Sequence, residues 1–134
     1  MKKLTLALFT LCLLAACKKE TPADVQCPAC PLIGSYTGQF HQIGGPYGAQ
    51  PTTDTVYTGV IAVDTLPGDS IAITVSAVNT STHWAYTDTG YYYRHFNLND
   101  SESFTFTNND SLYFFRNLGG SGGYFRTEFA GKKN

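Results

Sequence analysis

Beyond its first sixteen residues the chain has no long apolar run, no cluster of basic residues and few of the side chains that favour helices. Lys, Glu, Leu and Arg are sparse in that stretch while Tyr, Phe, Thr, Val and Ile are plentiful, a balance that favours strands. Without helical crossovers a parallel sheet cannot be connected, so any sheet must be antiparallel. Charged residues make up 14% of the chain and are scattered, leaving no basic stripe for DNA or RNA. Metal chemistry also lacks material. Zinc needs about four ligands, yet there is one C-x-x-C, and His41, His83 and His95 lie far apart on predicted strands or loops. The sequence contains no evident nucleophile-base pair and no phosphate loop. No cofactor and no enzymatic activity are expected.

What the chain does have is concentrated at its start. Lys2 and Lys3 precede a nearly uninterrupted apolar run from Leu4 to Leu14, followed by small residues before Cys17. This is the layout of a secretory signal peptide. The run is too short to span a bilayer, which takes about 20 apolar residues in a helix. An ordinary cut after Ala16 would put bulky Leu14 where the A-x-A pattern wants a small side chain. Leu14-Ala15-Ala16-Cys17 instead resembles the lipobox of bacterial lipoproteins. That resemblance implies diacylglyceryl transfer to the Cys17 thiol, cleavage before it, and acylation of the new amino terminus by a chain such as palmitate. At about 0.8 kcal/mol per buried CH₂, one acyl chain holds a protein only marginally, whereas two or three hold it stably. A secreted soluble protein with a free Cys17 is the alternative. Residues 1–16 are thus expected to be removed, taking Lys2 and Lys3 with them and the net charge from −1 to −3. Cys12 leaves with the signal. Lys18 is not the aspartate that retains many enteric lipoproteins in the inner membrane, so the resemblance points to the outer membrane. Lys18-Lys19-Glu20 only loosely resembles the surface-export signals of Bacteroidota, and either face of that membrane remains open.

Residues 17–32, with Pro22, Pro28 and Pro31, read as a flexible tether. Its Cys27-Pro28-Ala29-Cys30 reads first as a local disulfide in an oxidising compartment, in a ring so short that it is often strained and easily reduced. Free or intermolecularly paired thiols, and a redox or metal role, are the alternatives. Thioredoxin-like chemistry wants the first cysteine at a helix N-terminus in a βαβ setting, which this leader does not provide.

Residues 33–134 form the expected β domain. Tyr36, Gly38 and Phe40 share one face of the first run, and Asp54 to Leu66 makes a longer one. Leu66-Pro67-Gly68-Asp69 has Pro and Gly where a type II turn takes them. Ile71, Ile73 and Val75 alternate in a strand ending near Asn79-Thr80-Ser81-Thr82. A short strand is expected at Trp84 to Thr87 and a longer one at Tyr91 to Leu98. Phe104 and Phe106, then Leu112 and Phe114 across the Asn108-Asn109-Asp110 turn, face one way. Leu118 to Gly123 reads as a flexible glycine loop, and Phe125, Thr127 and Phe129 share the face of a last strand. About seven or eight such strands predict an all-β antiparallel up-and-down meander, closed into a small barrel or folded into a sandwich. Gly34-Ser35-Tyr36 resembles the glycine-any-aromatic start of lipocalins and other calycins, in which an aromatic plugs one barrel end. With Thr37-Gly38 and the closing Phe129-Ala130-Gly131-Lys132-Lys133, it is also similar to small lipoproteins of Bacteroidota.

Several residues are candidates for function, each with a plainer explanation. Gly119-Gly120-Ser121-Gly122-Gly123 matches G-x-S-x-G, but no histidine, aspartate or helix follows it, so a hairpin loop explains the match better than a hydrolase elbow. Trp84, Tyr91, Tyr93 and His95 form the densest aromatic region and are candidate contacts for a ligand or partner, with Arg94 adding polar contact. Ordinary strand alternation accounts for the same spacing. Asp100 and Glu102 sit in a Ser-rich segment read as a solvated turn, and no site is built from them. Asp54-Thr55-Val56, Asp64-Thr65-Leu66, Asp69-Ser70-Ile71 and Asp110-Ser111-Leu112 resemble the Asp-Ser/Thr-apolar triplet of Bacteroidota O-glycosylation. That resemblance implies candidate acceptors at Thr55, Thr65, Ser70 and Ser111, while turn chemistry is the competing explanation.

The sequence therefore predicts a lipid-anchored module of the cell envelope, non-enzymatic, that meets a protein or surface-glycan partner or plays a structural role. A lipocalin-like carrier of a small apolar ligand is the alternative, and a secreted hydrolase a distant second. The expected inward side chains are bulky: Tyr36, Phe40, Ile71, Ile73, Val75, Phe104, Phe106, Leu112, Phe114, Phe125 and Phe129. A barrel so filled favours the module over the carrier, whereas an enclosed apolar cavity of about 300 Å³ or more would reverse that order.

Overall fold

The computed structural model describes residues 27–134. The signal peptide, Cys17 and most of the tether lie outside the described residues. Eight strands follow in chain order: β1 (Gly34–Pro46), β2 (Thr53–Leu66), β3 (Ser70–Val75), β4 (Thr80–Ala85), β5 (Tyr91–His95), β6 (Ser101–Thr107), β7 (Ser111–Gly120) and β8 (Gly123–Lys133). They form one antiparallel sheet in the order β4-β3-β2-β1-β8-β7-β6-β5, nearly closed into a barrel. Every neighbour pair but one is a sequential hairpin. The exception joins the first strand to the last, which turns a meander into a ring.

Turn chemistry explains most of the connections. Gly68 and Asp69 take left-handed backbone angles between β2 and β3, as do Asn108 and Asn109 between β6 and β7. Gly has no Cβ to clash there, and Asn and Asp tolerate this region better than other residues. Some strand limits differ from expectation. β4 begins at Thr80 because the chain reverses earlier, in a single 3-10 turn at Ser76–Val78 ended by left-handed Asn79. β5 stops at His95, and Phe96 to Asn99 form a loop instead of more strand. The expected glycine loop at Leu118 to Gly123 is mostly strand: Gly119 and Gly120 pair with Tyr124 and Gly123, leaving Ser121 and Gly122 as a tight turn. Ser121 thus sits at a hairpin tip.

Register stacks the inward side chains into lateral rows. Tyr92, Phe104, Phe114, Phe129, Phe40 and Tyr57 lie opposite one another across six adjacent strands, β5-β6-β7-β8-β1-β2. Phe40 contacts Phe129 and Tyr57 at centroid distances of 4.6 and 5.5 Å, and Phe104 stacks on Phe114 at 4.9 Å. Next to this aromatic row lies a row of glycines, Gly59, Gly38 and Gly131. The rings need that space. A Cβ on Gly59 would enter the Phe40 ring and one on Gly131 the Phe129 ring, while one on Gly38 would strike the Ala130 carbonyl. Phe40, Phe104, Phe114 and Phe129 are fully buried, together with Tyr36, Ile61, Val63, Ile71, Ile73, Val75 and Leu112.

β4 and β5 carry no ladder between them and are the two ends of the sheet. Side chains close that seam. The Trp84 ring of β4 meets Tyr92 and Phe104 edge-on at 5.9 and 5.7 Å, and the Arg94 guanidinium lies 4.9 Å from its centroid.

One barrel end is capped by residues expected to belong to the tether. Cys27 and Cys30 are joined by a disulfide, and Cys30–Leu32 forms a 3-10 turn that buries Leu32 beside Ala29 in the core. Tyr36 Oη donates to the Leu32 carbonyl at 2.8 Å, and Lys133 Nζ to the Pro31 carbonyl at 2.9 Å. The last residues of the 17–32 segment are therefore part of the packed domain.

Substituting Gly131→Val should cost about 1–3 kcal/mol in chemical denaturation, since the new side chain competes with the Phe129 ring. Gly120→Ala, where nothing lies within 4 Å, should be close to neutral. Burial, with a smaller contribution from the Asp110 carboxylate, pushes the Tyr36 phenol from 10.0 up to about 12. The unfolded chain ionises this tyrosine first, so its stabilising contribution is complete below pH 10 and is lost as pH rises toward 12. Tyr36→Phe should flatten the decline of the denaturation midpoint over that alkaline range.

Candidate functional site

One row further from the capped end than the aromatic row, the inward positions turn polar. Arg94, Glu102, Arg116, Thr127, Gln42 and Thr55 lie opposite one another across β5-β6-β7-β8-β1-β2. Each is two residues along its strand from an aromatic of the row beneath, so strand alternation places it on the inward face, although Thr55, at the β2 end of the row, is exposed. Beyond it the rim is apolar again at Leu118 and Phe125.

Glu102 is the centre of this row. It is 1% exposed, and its expected place in a solvated turn is corrected: the strand starts at Ser101, which puts Glu102 in phase with Phe104 and Phe106. Asp100 stays in the loop, where its carboxylate accepts hydrogen bonds from the Gly119 amide at 2.7 Å and the Asn97 side chain at 2.5 Å. A buried carboxylate needs partners, and two arginines supply them. Arg94 Nη2 donates to Glu102 Oε1 at 3.2 Å, while Arg116 Nε stands 3.8 Å from Oε2.

The arginines are not equivalent. Arg94 is sandwiched between the Trp84 and Phe96 rings, 4.9 and 4.6 Å from their centroids, and is held by Glu102 as well. Arg116 has no such bracket. Its Nε and the Thr127 hydroxyl are buried with no hydrogen-bond partner among the described residues. Above them opens a cavity of about 350 Å³ lined by Gln42, Ala77, Val78, Arg116, Leu118, Phe125 and Thr127. It is open to solvent and partly polar, not an enclosed apolar chamber.

The aromatic residues picked out in the sequence are divided by strand alternation. Tyr91, Tyr93 and His95 point outward from β5, with Tyr91 and Tyr93 about half exposed and their ring planes 8° from parallel. Tyr93 Oη also hydrogen-bonds His95 Nε2. Trp84 faces inward and serves the seam. Phe125, expected in the core, lines the mouth and is only partly buried. Thr55 and Thr65 are exposed, on β2, within strand and not in turns; Ser70 and Ser111 open β3 and β7 and are half-buried. His41, on β1, is 2.8 Å from the Asp54 carboxylate on β2; His83 and His95 are on β4 and β5. No group of three or more metal-binding side chains forms among the described residues, and none of their helices is long and apolar enough to cross a membrane.

The polar row escaped a reading of hydrophobic faces, although the signal was present. Extending each face by one alternation, from Phe104 to Glu102, Phe114 to Arg116 and Phe129 to Thr127, places the charged row.

Glu102→Ala leaves two arginines facing each other without their counter-charge and should lower stability by about 3 kcal/mol or more. Arg94→Ala, whose side chain is 37% exposed, should cost about 1 kcal/mol. Urea denaturation of the two variants measures both.

No protein-family model matches the chain, and a search of curated proteins finds no relative.

Proposed function

We propose that the chain is a non-enzymatic binding module of the bacterial cell envelope, held in the outer membrane by lipid on Cys17 and meeting a protein or surface-glycan partner. The observation that carries this reading is the packed interior. A barrel filled by Phe40, Phe104, Phe114 and Phe129 has no central room for an apolar cargo, so its useful surfaces are its wall and its mouth. That packing weighs against the carrier of an apolar ligand. Ser121 at a hairpin tip weighs against the hydrolase, which would need a strand-to-helix elbow there.

Chain geometry supports the anchor. Cys27 enters at the capped end, beside the β2–β3 hairpin, whereas the polar row opens at the other end. The ten residues from Cys17 to Cys27 reach at most about 35 Å. On the wall, Tyr91, Tyr93 and His95 offer rings and polar edges suited to protein or sugar contact.

Labelled palmitate should be incorporated into the wild-type chain and not into Cys17→Ser, which should leave the membrane fraction. An unmodified, soluble wild-type chain would defeat the anchor. Pull-down from detergent extracts with the Tyr91→Ala/Tyr93→Ala double variant should lose the partner that wild type captures, and equal capture would remove the β5 face from the reading.

A further inference from the structure

We infer that the mouth of the barrel is a binding site for a small organic monocarboxylate whose apolar body rests on the rim. Three observations converge on it. Within the buried row Arg94, Arg116 and Glu102 together carry one net positive charge, while the Asp100 carboxylate outside the row is engaged by the Gly119 amide. Thr127 Oγ1 is a buried hydroxyl without a partner, and burying an unmet donor is unfavourable; Arg116 Nε also lacks a hydrogen bond, with Glu102 Oε2 3.8 Å away, as does Arg94 Nε. Thr127 is itself 1% exposed and lines the cavity, so its unsatisfied hydroxyl belongs to the site and not to the surface.

The division of labour follows from geometry. Arg94 is bound by Glu102 and two aromatic rings and, although its Nε is also unpartnered, it does not line the cavity, whereas Arg116 does, which makes Arg116 the cation for the ligand. A guanidinium presents paired N–H groups that match a carboxylate, and Glu102 Oε2, 3.8 Å from Nε, restrains its position. Gln42, opposite Thr127 on β1, adds a neutral amide to the same wall.

The rest of the cavity limits the ligand's size and shape. The barrel beneath is filled by the fully buried Phe40, Phe104, Phe114 and Phe129, which leaves no room for a ligand to pass downward. Its rim is apolar at Val78, Leu118 and Phe125, so the ligand's hydrophobic part must lie outward of its charge. A volume of about 350 Å³ sits at the small end of ligand pockets, which run from about 300 to 1,000 Å³. An aryl or branched short-chain acid fits these limits. A long fatty acid does not, because its tail has no channel to occupy.

Isothermal titration of the full chain in non-ionic detergent with phenylacetate tests this directly, with near-UV circular dichroism to verify that each variant is folded. Saturable binding is expected with phenylacetate, weaker by about tenfold or more with benzyl alcohol, which lacks the charge, and with inorganic phosphate, which lacks the body. Arg116→Gln should reduce phenylacetate binding by a similar factor, and Thr127→Val, nearly equal in shape, should weaken it while retaining the fold. Absence of saturable binding at millimolar phenylacetate would overturn the inference and assign the open donors to water. Equal binding of phosphate would show that the rim reads nothing, and undiminished binding to folded Arg116→Gln would place the ligand elsewhere. Either would also overturn it.

Discussion

The row of six aromatic residues that crosses β5-β6-β7-β8-β1-β2 is the constraint on which the rest of this domain depends. An antiparallel sheet must bury one face, and with no long helix among the described residues to lie on it the sheet curls onto itself. Rings large enough to fill the middle of such a curl crowd the wall that carries them. Gly59 and Gly131 relieve that crowding, because Phe40 and Phe129 lie over bare backbone where any other residue would hold a side chain, and Gly38 between them lets the β1 and β8 backbones approach. Bulk in one row and its absence in the next are therefore one packing solution. The same pairing of aromatic and glycine favours sheet curvature.

Curling leaves a seam, and the manner of its closure differs from the rest of the wall. β4 and β5 are short strands whose edges share no ladder. Exposed edges invite pairing with other chains, and short length is one natural defence. Here the contacts of Trp84 with Tyr92, Phe104 and Arg94 hold the edges together through side chains. Arg94 joins two functions through this contact: it covers the indole of the seam and it neutralises Glu102 in the mouth. The seam and the polar row are thus mechanically coupled.

Much of the fold was legible because period-2 alternation survives without bulges along β1, β3, β6, β7 and β8. Tyr36, Phe40, Ile71, Ile73, Val75, Phe104, Phe106, Leu112, Phe114 and Phe129 are inward as their spacing predicts. The turns at Gly68-Asp69 and Asn108-Asn109 were legible for a local reason, the need for left-handed backbone. What escaped was set by partners remote in sequence. Gly119 and Gly120 are strand because Tyr124 and Gly123 pair with them, although glycine by itself favours a loop. Leu32 looks like tether until Tyr36 and Lys133 are seen to hold its neighbourhood. Glu102 looked solvated because its composition is that of a turn, and only its register with Arg94 and Arg116 explains a buried charge there.

A polar row immediately above an aromatic one runs against simple burial, and this contrast bears on what the fold is for. Replacing a buried ion cluster with apolar residues of similar volume is often neutral or stabilising, so stability alone does not require Glu102 and its arginines. Leu, Phe or Val at those positions would continue the packing of the row beneath and extend the core toward the rim. Instead the chain places three charges at the one level where the interior meets solvent, at the end opposite Cys27. The capped end packs the entering chain against the barrel, and the far end presents charge with donors still open. A domain built only as a spacer has no use for that asymmetry, whereas a domain that holds something away from its point of entry does.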